Sequence, residues 1–386
     1  MKVLLISRGY PSKRSPGWGI FERDQALALQ ALGHEVIIMS VELRYYWRSI
    51  GLFHYSDNGL EIFSIGFPNF FSQLPERWAF GVRRKLALLL FKKIVKQYGK
   101  PDILYAQYFY NITIAAEIKK KYGVPLVGIE HWSKLTQKKI SNYMLVAGNE
   151  AYNTTDQIIT VSESLRKQLL LHFNKDSLIV NNMVGDEFTR SEVLNKVKDN
   201  AFPTNYVTVG NLIQRKGFDI LIDAFHISGL KEKGVTITIV GGGPELGALQ
   251  KQITDYGLLN NIILVGRKSR KEIIEILNNS DVFVLSSRAE TFSVVCIEAL
   301  CLGLPVIATI CGGPEEFINE KNGLLVPTND AKALSTAIQT MYNTFSNYKR
   351  KLIAEESRQR FSSSEIAKKL IKIFEDVIKS KILRLN

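Results

Sequence analysis

The chain has 386 residues, of which 46% are hydrophobic, and a formal net charge of +13. This length predicts two domains, or three, and a mean hydropathy of −0.01 without any apolar segment of transmembrane length is typical of a soluble globular protein. The three cysteines argue against a disulfide framework and indicate a reducing cytoplasm, while the positive charge favours an anionic partner: a nucleotide, a nucleic acid or a membrane surface.

The first residues predict the opening of a doubly wound α/β sheet. An apolar strand at residues 2–6 leads through a polar loop into a helix at 20–32, and a second strand follows at 35–40. Gly17 and Gly19 lie just before this helix, where glycine lets the backbone approach a ligand closely. No third glycine follows at the spacing of the dinucleotide-binding motif, so we expect only a docking place at a helix N-terminus.

Residues 41–75 have no clear periodicity and are rich in aromatic side chains, including Tyr45, Tyr46, Trp47, Phe70 and Phe71. The helix predicted next, at residues 78–97, mixes leucines with six basic residues: Arg83, Arg84, Lys85, Lys92, Lys93 and Lys96. One interpretation is a helix that covers the sheet and turns a basic face to solvent. The other adds docking of that face onto an anionic bilayer, and the two are compatible.

Further strands at residues 101–106, 125–130, 157–161 and 178–180, with a helix at 112–122, complete a first domain at 1–183. His131 lies just past the end of one strand, where open α/β sheets place their ligands. It is a candidate for binding a sugar hydroxyl or for stabilising positive charge at a reacting carbon. The alternative is a structural histidine. Glu130 beside it is either a base or a strand residue that points elsewhere.

Residues 184–204 lose the pattern and are interpreted as the domain connection. A second α/β unit then follows at residues 204–363, with strands predicted at 206–209, 236–240, 262–265, 281–287 and 305–309. Helices are predicted between them at 218–227, 244–256, 270–277 and 294–302. The chain ends in a helix at 334–342 and a long amphipathic helix at 364–382.

Basic and glycine residues follow three strands of the second unit. Arg215 and Lys216 come after the first strand, Gly241 after the second, and Arg267 with Lys268 after the third. Adjacent cations at a strand end suit a diphosphate and stabilise charge on a departing group. Each signal alone also fits solvated charges or a simple turn, but their convergence at one sheet edge indicates a ligand site.

The fourth strand leads into the stretch at residues 288–305. Ser293 is a predicted N-cap for a helix that begins at Val294, with Glu290 in the preceding turn and Glu298 about one turn in. The helix N-terminus favours a bound anion, and the two carboxylates suit hydroxyl groups on either side of it. A sugar, a diphosphate and a ribose, in that order, match this arrangement. The alternative is that both glutamates are solvated and the helix only packs.

Six segments together resemble the retaining glycosyltransferases of family 4. In the second half of the chain, residues 290–298 match the family's E-x7-E motif, 281–290 resemble the run into it, 210–217 resemble its G-R-L-x-x-x-K-G, and 241–244 resemble G-x-G-P. In the first half, residues 17–19 match its glycine loop and 128–131 match its strand-end histidine. The resemblance covers nearly the whole chain. It implies an α/β chain of GT-B architecture, with two facing Rossmann-like doubly wound domains, a deep interdomain cleft and a C-terminal crossover helix at about 364–386 that completes the N-terminal acceptor-binding domain.

Carried over position by position, the resemblance implies that Glu290 holds donor-sugar hydroxyls and Glu298 the ribose. The implied catalytic positions are His131, Arg215, Lys216 and Glu290. The implied donor-binding positions are Gly17, Gly19, Gly241, Arg267, Lys268, Thr291, Phe292, Ser293, Val294 and Glu298. Asn211 stands where the family usually has arginine, and Arg215 is the expected substitute for that cation. Asn182 likewise replaces a glycine that is usual before the linker.

The implied reaction is transfer with retention of configuration and without a metal or other cofactor. The expected donor is a nucleotide sugar, UDP-hexose before GDP-mannose, and the expected acceptor is a glycan or lipid-linked glycan of surface polysaccharide biosynthesis. We expect a cytoplasmic protein at the inner membrane surface, with peripheral contact to anionic lipid and no nucleic acid partner. The alternatives are a GT-B sugar-nucleotide epimerase and a two-domain sugar-binding protein without catalytic activity.

Overall fold

A computed structural model describes residues 1–12, 15, 17–44, 50–68, 76–132, 135, 140–193 and 202–385. The chain forms two compact units, a first unit of Met1–Asn181 with Ser363–Asn386 and a second unit of Asn182–Ser362. Of the aromatic segment, Tyr45, Tyr46, Trp47, Phe70 and Phe71 lie outside the described residues, as do residues 194–201 of the predicted connection.

The first unit is built on an eight-stranded sheet. Its strands are β1 (Lys2–Ser7), β2 (Glu35–Arg44), β3 (Gly51–Asp57), β4 (Leu60–Pro68), β5 (Ile103–Gln107), β6 (Leu126–Glu130), β7 (Gln157–Thr160) and β8 (Leu178–Ile179). The order is β3-β4-β2-β1-β5-β6-β7-β8. All neighbours are parallel except β3 and β4. Every residue of β5 and β6 is buried, as expected for parallel strands covered on both faces.

Five helices of this unit alternate with its strands: α1 (Ile20–Ala31), α2 (Glu76–Tyr98), α3 (Phe109–Tyr122), α4 (Asn142–Thr154) and α5 (Glu163–Phe173). Two of them have clear N-terminal caps. The hydroxyl of Ser141 accepts a hydrogen bond from the amide of Met144, and the hydroxyl of Ser162 accepts one from the amide of Leu165. The predicted strands and helices of this unit correspond to observed ones, but α4 and α5 were absent from the sequence prediction.

The prediction of an irregular segment at residues 41–75 was wrong in part, because β3 and β4 form an antiparallel hairpin there. Asn58 and Gly59 make the turn, with φ of 52° and 77°. Two consecutive residues at positive φ are typical of the two-residue hairpin turn that Asn-Gly favours. The Asn-Gly pair was therefore the missed signal.

The second unit contains a six-stranded sheet in which all neighbours are parallel. Its strands are β9 (Asn205–Val209), β10 (Thr236–Val240), β11 (Ile262–Gly266), β12 (Val282–Leu285), β13 (Val306–Thr309) and β14 (Gly323–Val326). The order is β11-β10-β9-β12-β13-β14. The direction of winding reverses between β9 and β12, and such a switch point opens a crevice at the carboxyl ends of the strands.

The helices of the second unit are α6 (Asp186–Thr189), α7 (Phe218–Ser228), α8 (Leu246–Asp255), α9 (Arg270–Asn279), α10 (Val294–Cys301), α11 (Ala331–Thr344) and α12 (Arg350–Phe361). The start of the predicted connection belongs to this unit, because α6 is part of it and the amide of Val184 donates to Phe361 O at 2.9 Å. The hydrophobic core of the second unit includes Tyr206, Phe225, Ile237 and Ile338, all fully buried.

The last helix, α13 (Ser363–Leu385), returns to the first unit. It packs on α1 and touches β6. Phe374 is fully buried, with its ring centroid 5.0 Å from that of Tyr105 on β5. The C-terminal helix therefore completes the core of the first unit, as the family resemblance implied.

Candidate functional site

The loops that follow β9 and β12 are bonded to each other at the switch point of the second unit. The amide of Arg288 donates to Arg215 O at 2.8 Å, and the hydroxyl of Ser286 donates to Lys216 O at 3.1 Å. Gly217, at φ 63°, ends the first of these loops, and a Cβ there would collide with Ser286 O. Glycine at this position therefore permits the close approach of the two loops.

Lys216 and Glu290 meet across these loops. Lys216 Nζ lies 2.5 Å from Glu290 Oε1, and the two side chains are only 14% and 8% exposed. The hydroxyl of Ser287 donates to the same oxygen at 2.8 Å, and the amide of Glu290 donates to Cys311 O at 2.8 Å. A buried, hydrogen-bonded ion pair thus places one ammonium and one carboxylate together at the sheet edge.

Arg288 braces the same loops and was not singled out from the sequence. Its guanidinium donates to both carboxylate oxygens of Asp219, at 2.9 and 2.6 Å, and to Asn329 Oδ1 at 2.7 Å. It also donates to the carbonyl of Gln214. Asp219 lies in the first turn of α7, and Gln214 begins the turn that carries Lys216. The contacts of Arg288 with both residues therefore hold the lysine-bearing loop in place.

The helix after the glutamate motif begins differently from the prediction. Ser293 stands at the N-cap position of α10, but its φ is 75° and its hydroxyl donates to Cys296 Sγ at 3.3 Å, so the predicted capping bond is absent. A non-glycine residue at positive φ is strained, and such strain is often kept at functional sites. The first amides of α10 therefore lack a side-chain cap and remain suited to an anion.

Phe292 and Glu298 flank this helix start. The Phe292 ring is 1% exposed and packs against Phe317 and Phe361, at centroid distances of 5.2 and 6.0 Å, so its side chain anchors the turn in the core. Glu298 lies on α10 and is 8% exposed. Thr291 and Val294 are partly buried beside them. The roles of these four residues at a diphosphate and a ribose stay predictions.

Gly241, Arg267 and Lys268 lie further along the same edge. The amide of Gly241 donates to Gly266 O at 2.9 Å, which joins the ends of β10 and β11. Arg267 and Lys268 are exposed after β11, two strands away from β9, a separation of about 10 Å. Lys268 Nζ pairs with Glu272 at 3.1 Å. These residues share the edge with Lys216 but do not form part of its ion-pair cluster.

In the first unit, His131 directly follows β6, and its ring centroid is 4.9 Å from that of Tyr108. Gly17 and Gly19 lie in the turn that leads into α1. Gly19 adopts φ 77° at the N-cap, where a Cβ would collide with Gly9 O. His131 therefore lies at the carboxyl end of a parallel strand, and Gly17 and Gly19 lie at the N-terminus of a helix, as the sequence predicted.

Comparison with known families decides the identity of the chain. A family model described as Glycosyl transferases group 1 matches residues 190–379, and one described as Glycosyltransferase Family 4 matches residues 19–187. This chain is a group 1, family 4 glycosyltransferase.

The glycosyltransferase is similar to curated proteins over nearly all of its length. It is 25% identical over 404 residues to the putative teichuronic acid biosynthesis glycosyltransferase TuaC of Bacillus subtilis, covering 99% of this chain and 100% of that protein. It is 24% identical over 389 residues to the glycogen synthase of Mycobacterium tuberculosis, covering 94% of this chain and 91% of that protein.

Solved structures share its fold. The sucrose-phosphate synthase of Thermosynechococcus elongatus superposes with a TM-score of 0.78 at 19% identity, over 98% of this chain and 100% of that one. HepE of Anabaena in complex with UDP gives a TM-score of 0.73 at 19% identity, over 97% and 100%. The fold of the glycosyltransferase is therefore GT-B, as predicted; the predicted cleft between its two units stays a prediction.

A cavity of about 330 Å³ in the first unit was missed by the sequence analysis. The residues that line it are Arg8, Trp18, Glu42, Arg83, Tyr108, Tyr110, Asn111 and Trp132. The Arg8 guanidinium lies 5.1 Å from the ring of Trp18 and 4.0 Å from that of Tyr108. Arg8 directly follows β1 and Tyr108 directly follows β5, so the strand-end rule that found His131 also applied to them.

Arg8 is held in that position by a buried carboxylate. Its Nε donates to Glu22 Oε1 at 2.8 Å, and the Glu22 side chain is fully buried. Burial by itself lowers the pKa of Arg8, but the neighbouring Glu22 carboxylate raises it. The net result is a pKa above the ordinary value. The cavity therefore presents aromatic faces around a guanidinium whose charge is already compensated.

Glu130, considered as a base from the sequence, points into the first unit. It is fully buried, and the hydroxyl of Tyr152 donates to its Oε1 at 2.7 Å. Burial raises the pKa of Glu130 to about 8. Hydrogen bonds from Tyr152 and from the amides of Phe109, Trp132 and His131 lower the pKa, but by less than burial raises it. The carboxyl group therefore organises the strand end that carries His131.

Two further expectations concern metals and membrane spans. Within the described ranges, no group of three or more His, Cys, Asp and Glu side chains is arranged to hold a metal ion. Among the helices of the same ranges, none is long and apolar enough to cross a membrane.

Proposed function

We infer that this glycosyltransferase moves a hexose-type sugar from a UDP-linked donor to a glycan or lipid-linked glycan in surface polysaccharide biosynthesis. GDP-mannose is the second candidate donor. The single observation that carries the inference is the buried contact between Lys216 and Glu290 at a topological switch point. This contact combines a phosphate-binding cation with an acceptor for sugar hydroxyls.

The names of similar proteins support the donor and the pathway. HepE of Anabaena was solved with UDP and with UDP-glucose. TuaC of Bacillus subtilis is named for teichuronic acid biosynthesis, and WcaL of Escherichia coli, 29% identical over 217 residues, for colanic acid biosynthesis. We extend these two properties to the present chain as its expected donor nucleotide and its expected kind of product.

In the proposed reaction, the donor diphosphate competes with Glu290 for Lys216. Lys216 and Arg215 then bind the phosphates together with the first amides of α10, and Glu290 accepts hydrogen bonds from hydroxyls of the sugar. The negative charge that develops on the departing phosphate is stabilised by the same cations and amides. In the described part of the chain, the Arg215 guanidinium has no carboxylate within ion-pair distance, so it is available for this role.

We further propose that transfer retains the anomeric configuration and needs no metal ion. The family resemblance supports retention, and the two adjacent cations support phosphate neutralisation by side chains. The proposed contact of His131 with the sugar belongs to the same scheme. Two measurements test this proposal. Turnover should be unchanged when a metal chelator is added, and the product should have the anomeric configuration of the donor.

We also propose that the cavity of the first unit holds one uncharged sugar ring of the acceptor. Its aromatic walls suit the apolar faces of a pyranose. Glu22 is fully buried and would be left without its cation if Arg8 turned to a bound carboxylate or phosphate. Glu290, in contrast, gains the sugar hydroxyls when Lys216 turns to the diphosphate. The cavity therefore favours a neutral hexose over an acidic one.

The decisive experiment measures UDP release from UDP-hexoses with and without a glycan acceptor. A transferase releases UDP in proportion to the glycoside formed. An epimerase would instead change the sugar nucleotide without any acceptor, and a binding protein would do neither. A thermal-shift screen of nucleoside diphosphates and their sugars identifies the donor first, because a ligand that binds only the native state raises its melting temperature.

A further inference from the structure

The outer face of α2 exposes two large apolar side chains in line with lysines. Trp78 and Leu89 are 60% and 61% exposed, and Lys85, Lys92 and Lys96 are exposed on the same helix. Leucine is among the residues most often buried in globular proteins. The sequence alone placed Leu89 with the other leucines of this helix, so its exposure is information from the structure.

These five residues form one line along the helix, here named the α2 stripe. With 3.6 residues per turn, their side chains project within about 40° of a common direction, over a length of about 27 Å. The opposite side is packed against the sheet and α3. It carries apolar residues that are at most 4% exposed: Phe80, Ala87, Leu90, Phe91 and Ile94. Core packing thus fixes the rotation of α2 and keeps the stripe outside.

The charge of this region has one sign. Eight Lys and Arg residues and no Asp or Glu lie between residues 77 and 100. Arg84, at the flank of the stripe, pairs with Glu117. The three stripe lysines have no ion pair with any carboxylate in the described ranges. Their charge is therefore available to an anionic surface. Leu89 lies between Lys85 and Lys92, and Trp78 lies about two turns before Lys85 on the same side of the helix.

We propose that the α2 stripe docks the first unit onto an anionic lipid bilayer. The lysines contact lipid phosphates, while Trp78 and Leu89 enter the boundary between headgroups and acyl chains. A soluble polyanion such as nucleic acid would use the lysines but leave Leu89 in water, so the apolar residues favour the bilayer. This inference uses none of the residues assigned to glycosyl transfer and stands independently of that function.

The test is co-sedimentation of the full chain with phosphatidylcholine vesicles, with and without phosphatidylglycerol. We expect binding only to the anionic vesicles, weakened by salt. The variant Lys85→Gln/Lys92→Gln/Lys96→Gln should lower the partition coefficient by about two orders of magnitude, and Leu89→Ser should lower it about tenfold. The matched controls from exposed positions of the second unit, Lys271→Gln/Lys321→Gln/Lys332→Gln and Leu259→Ser, should leave it unchanged.

Three results would overturn the proposal. The first is that wild-type protein ignores anionic vesicles or binds both kinds equally, a comparison that needs no variant. The second is equal loss of binding in the stripe and control lysine variants, which would reflect net charge alone. The third is that Leu89→Ser and Trp78→Ser bind as tightly as wild type. If the lysine variant loses binding while Leu89→Ser and Trp78→Ser do not, the partner is a soluble polyanion and not a bilayer. Binding of duplex DNA to the same variants then serves as the probe.

Discussion

Lys216 Nζ lies 2.5 Å from Glu290 Oε1, and this contact joins two loops that are 74 residues apart in the chain. Both side chains are largely buried, so neither charge is well compensated by water. The ammonium group and the carboxylate therefore depend on each other until a ligand replaces one of them. This relationship makes opposite predictions for the two residues.

Replacement of Glu290 by glutamine should separate nucleotide binding from sugar transfer. Without the carboxylate, Lys216 no longer has to leave an ion pair, so we expect UDP to bind several-fold more tightly. Turnover should fall by about 10²–10³ because the hydrogen bonds to the sugar are lost. Calorimetric titration with UDP and the rate of UDP release measure the two effects. Weaker UDP binding would contradict the competition between Glu290 and phosphate.

Replacement of Lys216 by glutamine should weaken both UDP binding and folding. It leaves the Glu290 carboxylate buried without its cation, which typically lowers the free energy of unfolding by about 3 kcal/mol. The double variant Lys216→Gln/Glu290→Gln should recover much of that stability but none of the turnover. Urea unfolding monitored by fluorescence, together with the UDP-release assay, tests this. A double variant that regained activity would remove Lys216 from the reaction.

Arg288 is expected to act as a positioning residue through its fork to Asp219. Because these side chains are 24% and 43% exposed, Arg288→Ala should lower stability by only about 1 kcal/mol. Displacement of the Lys216 loop should lower turnover about tenfold, and Arg288→Lys should be intermediate because it keeps the charge but not the fork. Arg166→Ala, which removes the exposed fork to Asp176, is the control and should leave turnover unchanged.

Trp18 should affect the acceptor and not the donor. It is 41% exposed and lines the aromatic cavity of the first unit. We expect Trp18→Ala to raise the KM for a glycan acceptor about tenfold and to leave the Kd for UDP unchanged. Trp78→Ala removes another exposed tryptophan that does not line this cavity and should have no effect on a soluble acceptor. Equal effects of both variants would argue against the proposed sugar subsite.

Glu130 should make stability depend on pH. Its pKa is about 8 in the folded chain and 4.5 as the ordinary value, so the folded state binds a proton that the unfolded state releases. The stabilisation that proton binding gives to the folded state is complete below pH 4.5 and is lost by the time the pH has risen through 8. Between these values the free energy of unfolding falls by about 1.4 kcal/mol per pH unit. Urea unfolding of wild type and Glu130→Gln at pH 5.5, 6.5 and 7.5 measures the difference.

The expected result is that wild type loses stability relative to Glu130→Gln as the pH increases through this range. Other titrating groups contribute equally to both proteins and cancel in the comparison. Glu365→Gln changes an exposed carboxyl whose pKa is lowered by Lys368 and serves as the control. Parallel curves for wild type and Glu130→Gln would mean that this carboxyl group is ionised in the fold.

The site was only partly visible in the sequence. Lys216, Glu290 and Gly217 were recognised because each follows a buried strand, and parallel strands bring their carboxyl ends to one edge. Their pairing could not be predicted, since it depends on β9 and β12 being neighbours. Arg288 was not recognised because its role depends on hydrogen bonds to Asp219 and Asn329, which are distant from it in the chain. Ser293 was assigned a cap from its residue type, but tertiary packing set its φ to 75°.

The sequence by itself determined that this chain is an α/β protein of two Rossmann-like units with ligand-suited strand ends. Such features follow from local patterns: apolar strands, helices bounded by glycine and serine, and short motifs between them. Only the tertiary structure decided which charges neutralise each other. It also decided that Leu89 faces solvent and that Arg8 lies against the rings of Trp18 and Tyr108. These outcomes depend on strand order and helix rotation, which are set by contacts between residues far apart in the chain.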